Sequence, residues 1–357
     1  MQTKPAYLIL ENGMVFCGKS FGYQAEASGE LVFTTAMTGY LETLTDQGFY
    51  GQLVVQTFPL IGNYGVISQE CESKGTSPAA YIVRDICQEP SNFRSEGALD
   101  VFLSENKIVG IYDIDTRRLT RVLRKEGTMM AKIVSELPAD MDALKAELAA
   151  IKPCNAVAAV TCREASTVAP ENPAHRVVLW DFGTIDSIAA ELTARGCEVI
   201  TVPADTTADA IAAYNPDGIV LSNGPGDPMA NPAIIAEIGK LAEKKLPMFG
   251  ICLGHLMLAV SQGAVSEKML HGHRGSQPAV RTSDKRVFIT SQNHGYALAE
   301  DKLPEGIETI FRNGNDGSIE GVAYKNIPAF SVQFRPGSAG GPSATDFLYD
   351  QFIDMMA

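Results

Sequence analysis

Apolar residues along the first half of the chain come in short runs broken by polar and glycine-containing turns. Residues 6–10, 15–17 and 31–34 read as strands, and residues 117–125 and 141–149 carry helical spacing. A mixed α+β domain is therefore expected over residues 1–151. Residues 152–172 (KPCNAVAAVTCREASTVAPEN) mix small, polar and proline residues without a sustained period and read as a linker. From 173 to 357 the rhythm becomes strand, helix, strand. Residues 177–180 are apolar, Ile185, Ile188, Ala189 and Leu192 follow helical spacing, Gly196 closes that helix, and 198–202 resumes a strand. A second unit follows: Thr206 with Asp209 resembles a capping box, 211–214 continues a helix, and 218–221 enters another strand. This order predicts an α/β fold with a doubly wound, mostly parallel sheet, whose sites gather at the carboxyl ends of its strands.

Two loops fall at such ends. Residues 248–251 form a short apolar run opened by Pro247, and 253–262 read as a helix, so Cys252 stands at the turn between them, flanked by Gly250 and Gly254. The pattern G-x-C-x-G is the thiol form of a nucleophile elbow: small neighbours permit a sharp turn, and the helix N-terminus favours a thiolate. The alternative is a buried cysteine packing as a small hydrophobe. The other loop, SNGPGDP at 222–228, is either an ordinary turn or a partner to that thiol. Its Gly224 and Gly226 would bring backbone N–H groups to a developing oxyanion, with the N–H of Leu253 as the second donor. That arrangement suits acyl transfer.

Composition narrows the field. A length of 357 residues predicts about two domains. A formal net charge of −13 disfavours nucleic acid and anionic membrane as partners, because the electrostatic contribution to phosphate binding would be repulsive. Residues 1–7 (MQTKPAY) show no basic segment leading into an apolar core, and no apolar run approaches bilayer length, so a cytoplasmic protein is expected. The seven cysteines lack metal-ligand spacing and are odd in number, which fits a reducing compartment and predicts no metal.

These residues resemble the class I glutamine amidotransferases, and nearly the whole chain resembles the small-subunit family of carbamoyl-phosphate synthetase. Beyond the elbow, the matching segments are GHRG around His273 and Arg274, QNHGY at 292–296, and AFSVQF at 329–334. In the first half they are TAMTGY at 35–40, FPLIGNYG at 58–65, SNFR at 91–94 and DIDTRRLT at 113–120. The resemblance implies a first domain that docks on a large subunit and a second that hydrolyses L-glutamine at Cys252. Ammonia would then pass to that subunit, where ATP and magnesium make carbamoyl phosphate for pyrimidine and arginine synthesis. No cofactor is expected on this chain. By the same resemblance Gly48, Gly224, Gly226, Leu253, Leu256, Asn293, Gly295 and Tyr296 occupy substrate-binding positions.

The family's histidine and glutamate follow the AFSVQF strand in an H-P-E segment, where this chain has Arg335, Pro336 and Gly337. A guanidinium stays protonated and has no lone pair to accept a proton, so Arg335 is not a general base. It could lower the thiol pKa, yet it could not protonate departing ammonia. Losing members of such a unit lowers rate by roughly 10⁴ to 10⁶. The pocket departs in the same direction: Leu256 stands where the family has glutamine, and Gly48 where it has serine. Each missing polar contact would weaken binding by on the order of 1 to 3 kcal/mol.

No other histidine is expected to substitute. His255, His271, His273 and His294 read as scaffold, His175 as exposed, and Asp316 and Glu320 as solvated loop carboxylates. Three functions follow: an impaired glutaminase subunit, a non-catalytic binding or regulatory subunit for an ammonia-using synthetase, or a stand-alone thiol hydrolase of other specificity.

Overall fold

The computed structural model describes residues 4–151, 155–337 and 343–357. The chain divides into two compact units, Met1–Cys154 and Asn155–Ala357. In the first, the elements are β1 (Pro5–Leu10), β2 (Val15–Gly22), β3 (Ala27–Thr34), α1 (Tyr40–Thr45), β4 (Leu53–Gln56), β5 (Leu60–Ile61), β6 (Ala80–Ile82) and β7 (Asp85–Ile86). After these come α2 (Leu99–Glu105), β8 (Val109–Tyr112), α3 (Thr116–Glu126), β9 (Met129–Val134) and α4 (Met141–Ala150).

Seven of these strands close into a barrel in the order β1-β2-β8-β6-β4-β3-β9, with β9 pairing back on β1. Period-two alternation explains the closure. Leu31, Phe33, Leu53, Val55, Ala80 and Ile82 point into one core, while Val32, Val54 and Tyr81 on the same strands point into a second core with Tyr40, Leu44 and Leu103 of α1 and α2. Both faces of β3, β4 and β6 are thus buried, which accounts for their nearly continuous apolar runs.

The second unit contains α5 (Ala156–Val160), β10 (Ser166–Val168), β11 (His175–Asp181), α6 (Asp186–Ala194), β12 (Cys197–Pro203), α7 (Ala208–Ala213), β13 (Gly218–Leu221) and α8 (Pro232–Glu243). The elements β14 (Met248–Ile251), α9 (Leu253–Ser261), β15 (Ser266–Arg281), β16 (Val287–Leu298), β17 (Ile307–Asn313), β18 (Ile319–Tyr324), β19 (Ala329–Val332) and α10 (Phe347–Asp354) complete it. The sheet runs β10-β12-β11-β13-β14-β19-β18-β17-β15-β16. Its centre, β12-β11-β13-β14-β19, is parallel; β10 at one edge and the four strands beyond β19 are antiparallel.

Alternation on β11 assigns the two faces. Val178 and Trp180 pack with Ile211, Ile238, Leu241 and Met257 of α7, α8 and α9. Val177 and Leu179 pack with Ile188, Leu192, Leu348 and Phe352 of α6 and α10. Helices cover both faces, as double winding requires.

Two local expectations change. Helix α5 and strand β10 lie inside the stretch read as linker. Asn155 caps α5 by accepting from the Ala158 N–H at 3.3 Å, the Thr161 hydroxyl donates to the Asp181 carbonyl at 2.7 Å, and the Cys162 N–H donates to the Asp181 carboxylate at 2.7 Å. This segment is therefore stitched to β11, through hydrogen bonds that composition does not reveal; residues 152–154 lie outside the described residues. The cap of α7 is Thr207, whose hydroxyl accepts from Ala210 N–H at 3.3 Å, whereas Thr206 donates to the Pro203 carbonyl at 2.7 Å. Among the described residues, no helix is long and apolar enough to cross a membrane.

Candidate active site

Strand β14 ends at Ile251, paired with Val332 of β19, and α9 begins at Leu253. Cys252 joins them with φ 54° and ψ −104°, outside the conformations an L-residue adopts freely. The turn is held on both sides. The Cys252 N–H donates to the Val332 carbonyl at 2.8 Å, and the Gly254 N–H donates to the Ser222 carbonyl at 3.0 Å. Glycine is required at 254: a Cβ there would lie 2.3 Å from the Leu221 carbonyl oxygen. The strained thiol position expected from G-x-C-x-G is thus formed, with the Leu253 N–H at the first position of α9.

The Cys252 side chain is buried. Its sulfur donates to the Asn293 carbonyl at 3.4 Å, and the Gln333 amide nitrogen lies 3.9 Å from it. The 222–228 loop is anchored beside the elbow. The Ser222 hydroxyl accepts from Phe182 N–H at 2.8 Å, Asn223 donates to the Gly183 carbonyl at 2.9 Å, and a Cβ on Gly224 would meet the Phe182 carbonyl oxygen at 2.2 Å. Gly226 follows at φ +88° and is exposed.

Past β19, Arg335 forms an isolated bridge to Ser291 of β16, its N–H donating to the Ser291 carbonyl at 2.9 Å. Its guanidinium is carried inward, with the residue 6% exposed. Arg335 is thereby stitched to the strand whose Asn293 carbonyl receives the Cys252 thiol. Gly337 has φ +67°, and a Cβ there would lie 2.9 Å from Cγ of Glu191. A glutamate at this position would be strained and would meet a carboxylate neighbour, so the local backbone suits glycine.

The remaining expected substrate positions divide by location. Leu256 is buried in the apolar core beneath α9, and Tyr296 packs partly against the same core. Asn293 pairs with Arg274 across β15 and β16, and a Cβ on Gly295 would sit 3.4 Å from the Arg274 guanidinium. Gly48 belongs to the first unit, buried in a turn of 3₁₀ helix (Gln47–Phe49), with its N–H donating to Asp46 at 2.7 Å.

Each histidine has its own surroundings. His255 is buried, its Nδ1 lies 2.8 Å from the Ser331 hydroxyl, and burial lowers its pKa to about 3. His271 places Nδ1 2.9 Å from the Gly272 carbonyl. His175 is half-buried rather than exposed, and opens β11 at the sheet end opposite Cys252.

Glu320 overturns its expectation. It is fully buried on β18, where one carboxylate oxygen accepts from Asn313 at 2.7 Å and the other from Gln292 at 2.9 Å. His273 lies between this group and Asp316, with Nε2 3.0 Å from the Asp316 carboxylate and Nδ1 3.3 Å from Glu320. Burial alone would lower the His273 pKa, but the two carboxylates raise it above the ordinary value. His294 contacts the Tyr296 carbonyl at 2.8 Å and the Gln292 side-chain oxygen at 3.0 Å; burial first, then the nearby His273, push its pKa well down. Asp316 is half-exposed as expected. This buried polar network was missed, although Thr290, Gln292 and His294 repeat at period two in the sequence and so mark one polar strand face.

Residues 8–133 match the family model described as "Carbamoyl-phosphate synthase small chain, CPSase domain", and residues 178–355 match "Glutamine amidotransferase class-I". A carbamoyl phosphate synthase small chain of Clostridium perfringens is 44% identical over 98% of this chain and 98% of its own length. Another, of Chlorobaculum tepidum, is 44% identical over 100% of this chain and 99% of its own. Among solved structures, a glutamine amidotransferase of Thermotoga maritima is 18% identical, with a TM-score of 0.37 over 45% of this chain and 75% of that one.

Proposed function

Because the chain belongs to the family of carbamoyl-phosphate synthase small chains, we propose that it serves as that synthase's small subunit with its own glutaminase nearly silent. The family role is glutamine hydrolysis and delivery of ammonia. In this chain the docking role is kept, and the large subunit, which carries ATP and magnesium, draws on free ammonium.

The observation that carries the reading is a formed elbow at Cys252 whose thiol meets the strand that Arg335 bridges, with Gly337 two residues further on. Glutaminase chemistry needs the thiol to attack the side-chain amide carbon, forming a C–S bond while the C–N bond breaks. The thiol proton must reach the departing nitrogen so that it leaves as ammonia. A base must then take a proton from water so that hydroxide can release glutamate from the thioester. Arg335 has no lone pair for either transfer. The three buried imidazoles are held elsewhere: His255 through Nδ1 on Ser331, His273 on Asp316 and Glu320, and His294 on Tyr296 and Gln292. Leu256 presents hydrocarbon where the family uses an amide.

The test is carbamoyl phosphate formation by this chain with its host's large subunit, comparing glutamine with ammonium and including Cys252→Ser. Synthesis from ammonium alone, unchanged by Cys252→Ser, is expected. Glutamine-dependent synthesis abolished by Cys252→Ser would sink the proposal and require another proton carrier.

A further inference from the structure

His273 on β15, His294 on β16 and Glu320 on β18 bring one donor atom each to within 4.8 Å of the others, and all three residues are buried. The outward nitrogen of each ring is already fixed by an acceptor. His273 Nε2 meets the Asp316 carboxylate at 3.0 Å, and His294 Nδ1 meets the Tyr296 carbonyl at 2.8 Å. A hydrogen on each outward nitrogen leaves the inward one, His273 Nδ1 or His294 Nε2, as a lone pair. These lone pairs face more acceptors: Glu320 Oε1 at 3.3 Å from the first, and Gln292 Oε1 at 3.0 Å from the second.

The amide donors at the centre go chiefly to Glu320. Gln292 Nε2 donates to Oε2 at 2.9 Å, and Asn313 Nδ2 donates to Oε1 at 2.7 Å, with a longer 3.3 Å approach to His273 Nδ1. Turning the Gln292 amide to help His294 would set its oxygen against the Glu320 carboxylate. A second proton on His273 would reach Glu320 but leave His294 Nε2 facing the Gln292 oxygen, and one on each ring would place two imidazolium rings 5.0 Å apart inside the protein. A cation resolves the mismatch without either.

We propose that His273 Nδ1, His294 Nε2 and the Glu320 carboxylate form a binding site for a divalent transition metal of the zinc class. Two imidazoles and one carboxylate suit such an ion better than magnesium or calcium, which favour all-oxygen shells. The outer contacts are those metal-bound histidines use: an N–H held by a carboxylate on one ring and by a backbone carbonyl on the other. Binding would draw the donors to about 3.3 Å apart around bonds of about 2 Å. The ion would clamp β15, β16 and β18 together next to Asn293, whose carbonyl receives the Cys252 thiol. The site departs from the absence of metal expected from cysteine spacing, because its ligands lie on three strands and share no sequence motif.

The full chain, stripped with chelator, is titrated with zinc against a chromophoric competitor, and separately with cobalt. About one zinc per chain is expected, unaffected by excess magnesium, with a cobalt spectrum free of thiolate charge-transfer bands. Asp316→Asn leaves the ligands and fold intact and should weaken zinc about 10- to 100-fold. Glu320→Gln should abolish tight binding, and is read only where circular dichroism shows a folded protein. The proposal is overturned if no tight zinc binds, if Asp316→Asn binds as the parent does, or if cobalt shows thiolate ligation.

Discussion

Replacing Cys252 by glycine and, separately, by alanine isolates the backbone strain of the elbow, since both changes remove the thiol and differ only in the Cβ. At φ 54°, ψ −104° a residue with a Cβ is strained, by about 1–3 kcal/mol for conformations of this kind. Glycine relieves that strain, but its freer unfolded chain takes back about 0.5–1 kcal/mol. The difference leaves Cys252→Gly more stable than Cys252→Ala by about 1 kcal/mol, the reverse of the order at an ordinary position. Trp180 is the single tryptophan and is fully buried in the second unit, so its fluorescence during urea unfolding follows the unit that holds the elbow. The corresponding rise in Tm is about 2–4 °C for a unit of this size. A glycine variant no more stable than the alanine variant would mean that the elbow stores no strain.

Two further tests use pH. His255 titrates near 6.5 when unfolded and at about 3 when folded, because burial disfavours its cation. Below pH 6.5 the unfolded chain therefore binds the extra proton and stability falls, by about 2 kcal/mol at pH 5. In His255→Gln the loss between pH 7.5 and 5, followed by Trp180 fluorescence, should be smaller by that amount; equal losses would contradict the assignment. In the first unit, burial raises the Glu42 carboxyl to about 7. Its stabilising contribution is present below the unfolded value of 4.5 and is lost as pH rises through 7. Glu42→Gln should thus stabilise the first unit at pH 8 by on the order of 2 kcal/mol and have no such effect near pH 4.5, as read by calorimetry. A benefit equal at both values would assign the effect to packing instead.

Local pattern determined much of this protein. The apolar runs at β11, β13 and β14, the Gly196 stop after α6 and the glycines flanking Cys252 each act through neighbours a few residues away, so strand, helix and elbow were legible from the sequence. The same holds for Arg335, whose inability to accept a proton follows from its chemistry alone. Other features depended on contacts between distant segments. Barrel closure joins β9 to β1, a pairing no local period encodes. The 155–172 segment is built into the second unit through Asp181, well along the chain. Glu320 read as a solvated loop carboxylate because isolated charge usually is. Only the folded sheet brings the Asn313 and Gln292 amides around it, and those donors are what make its burial tolerable. Gly337 likewise shows its reason only in three dimensions, in a positive φ and in Glu191 standing where a side chain would go.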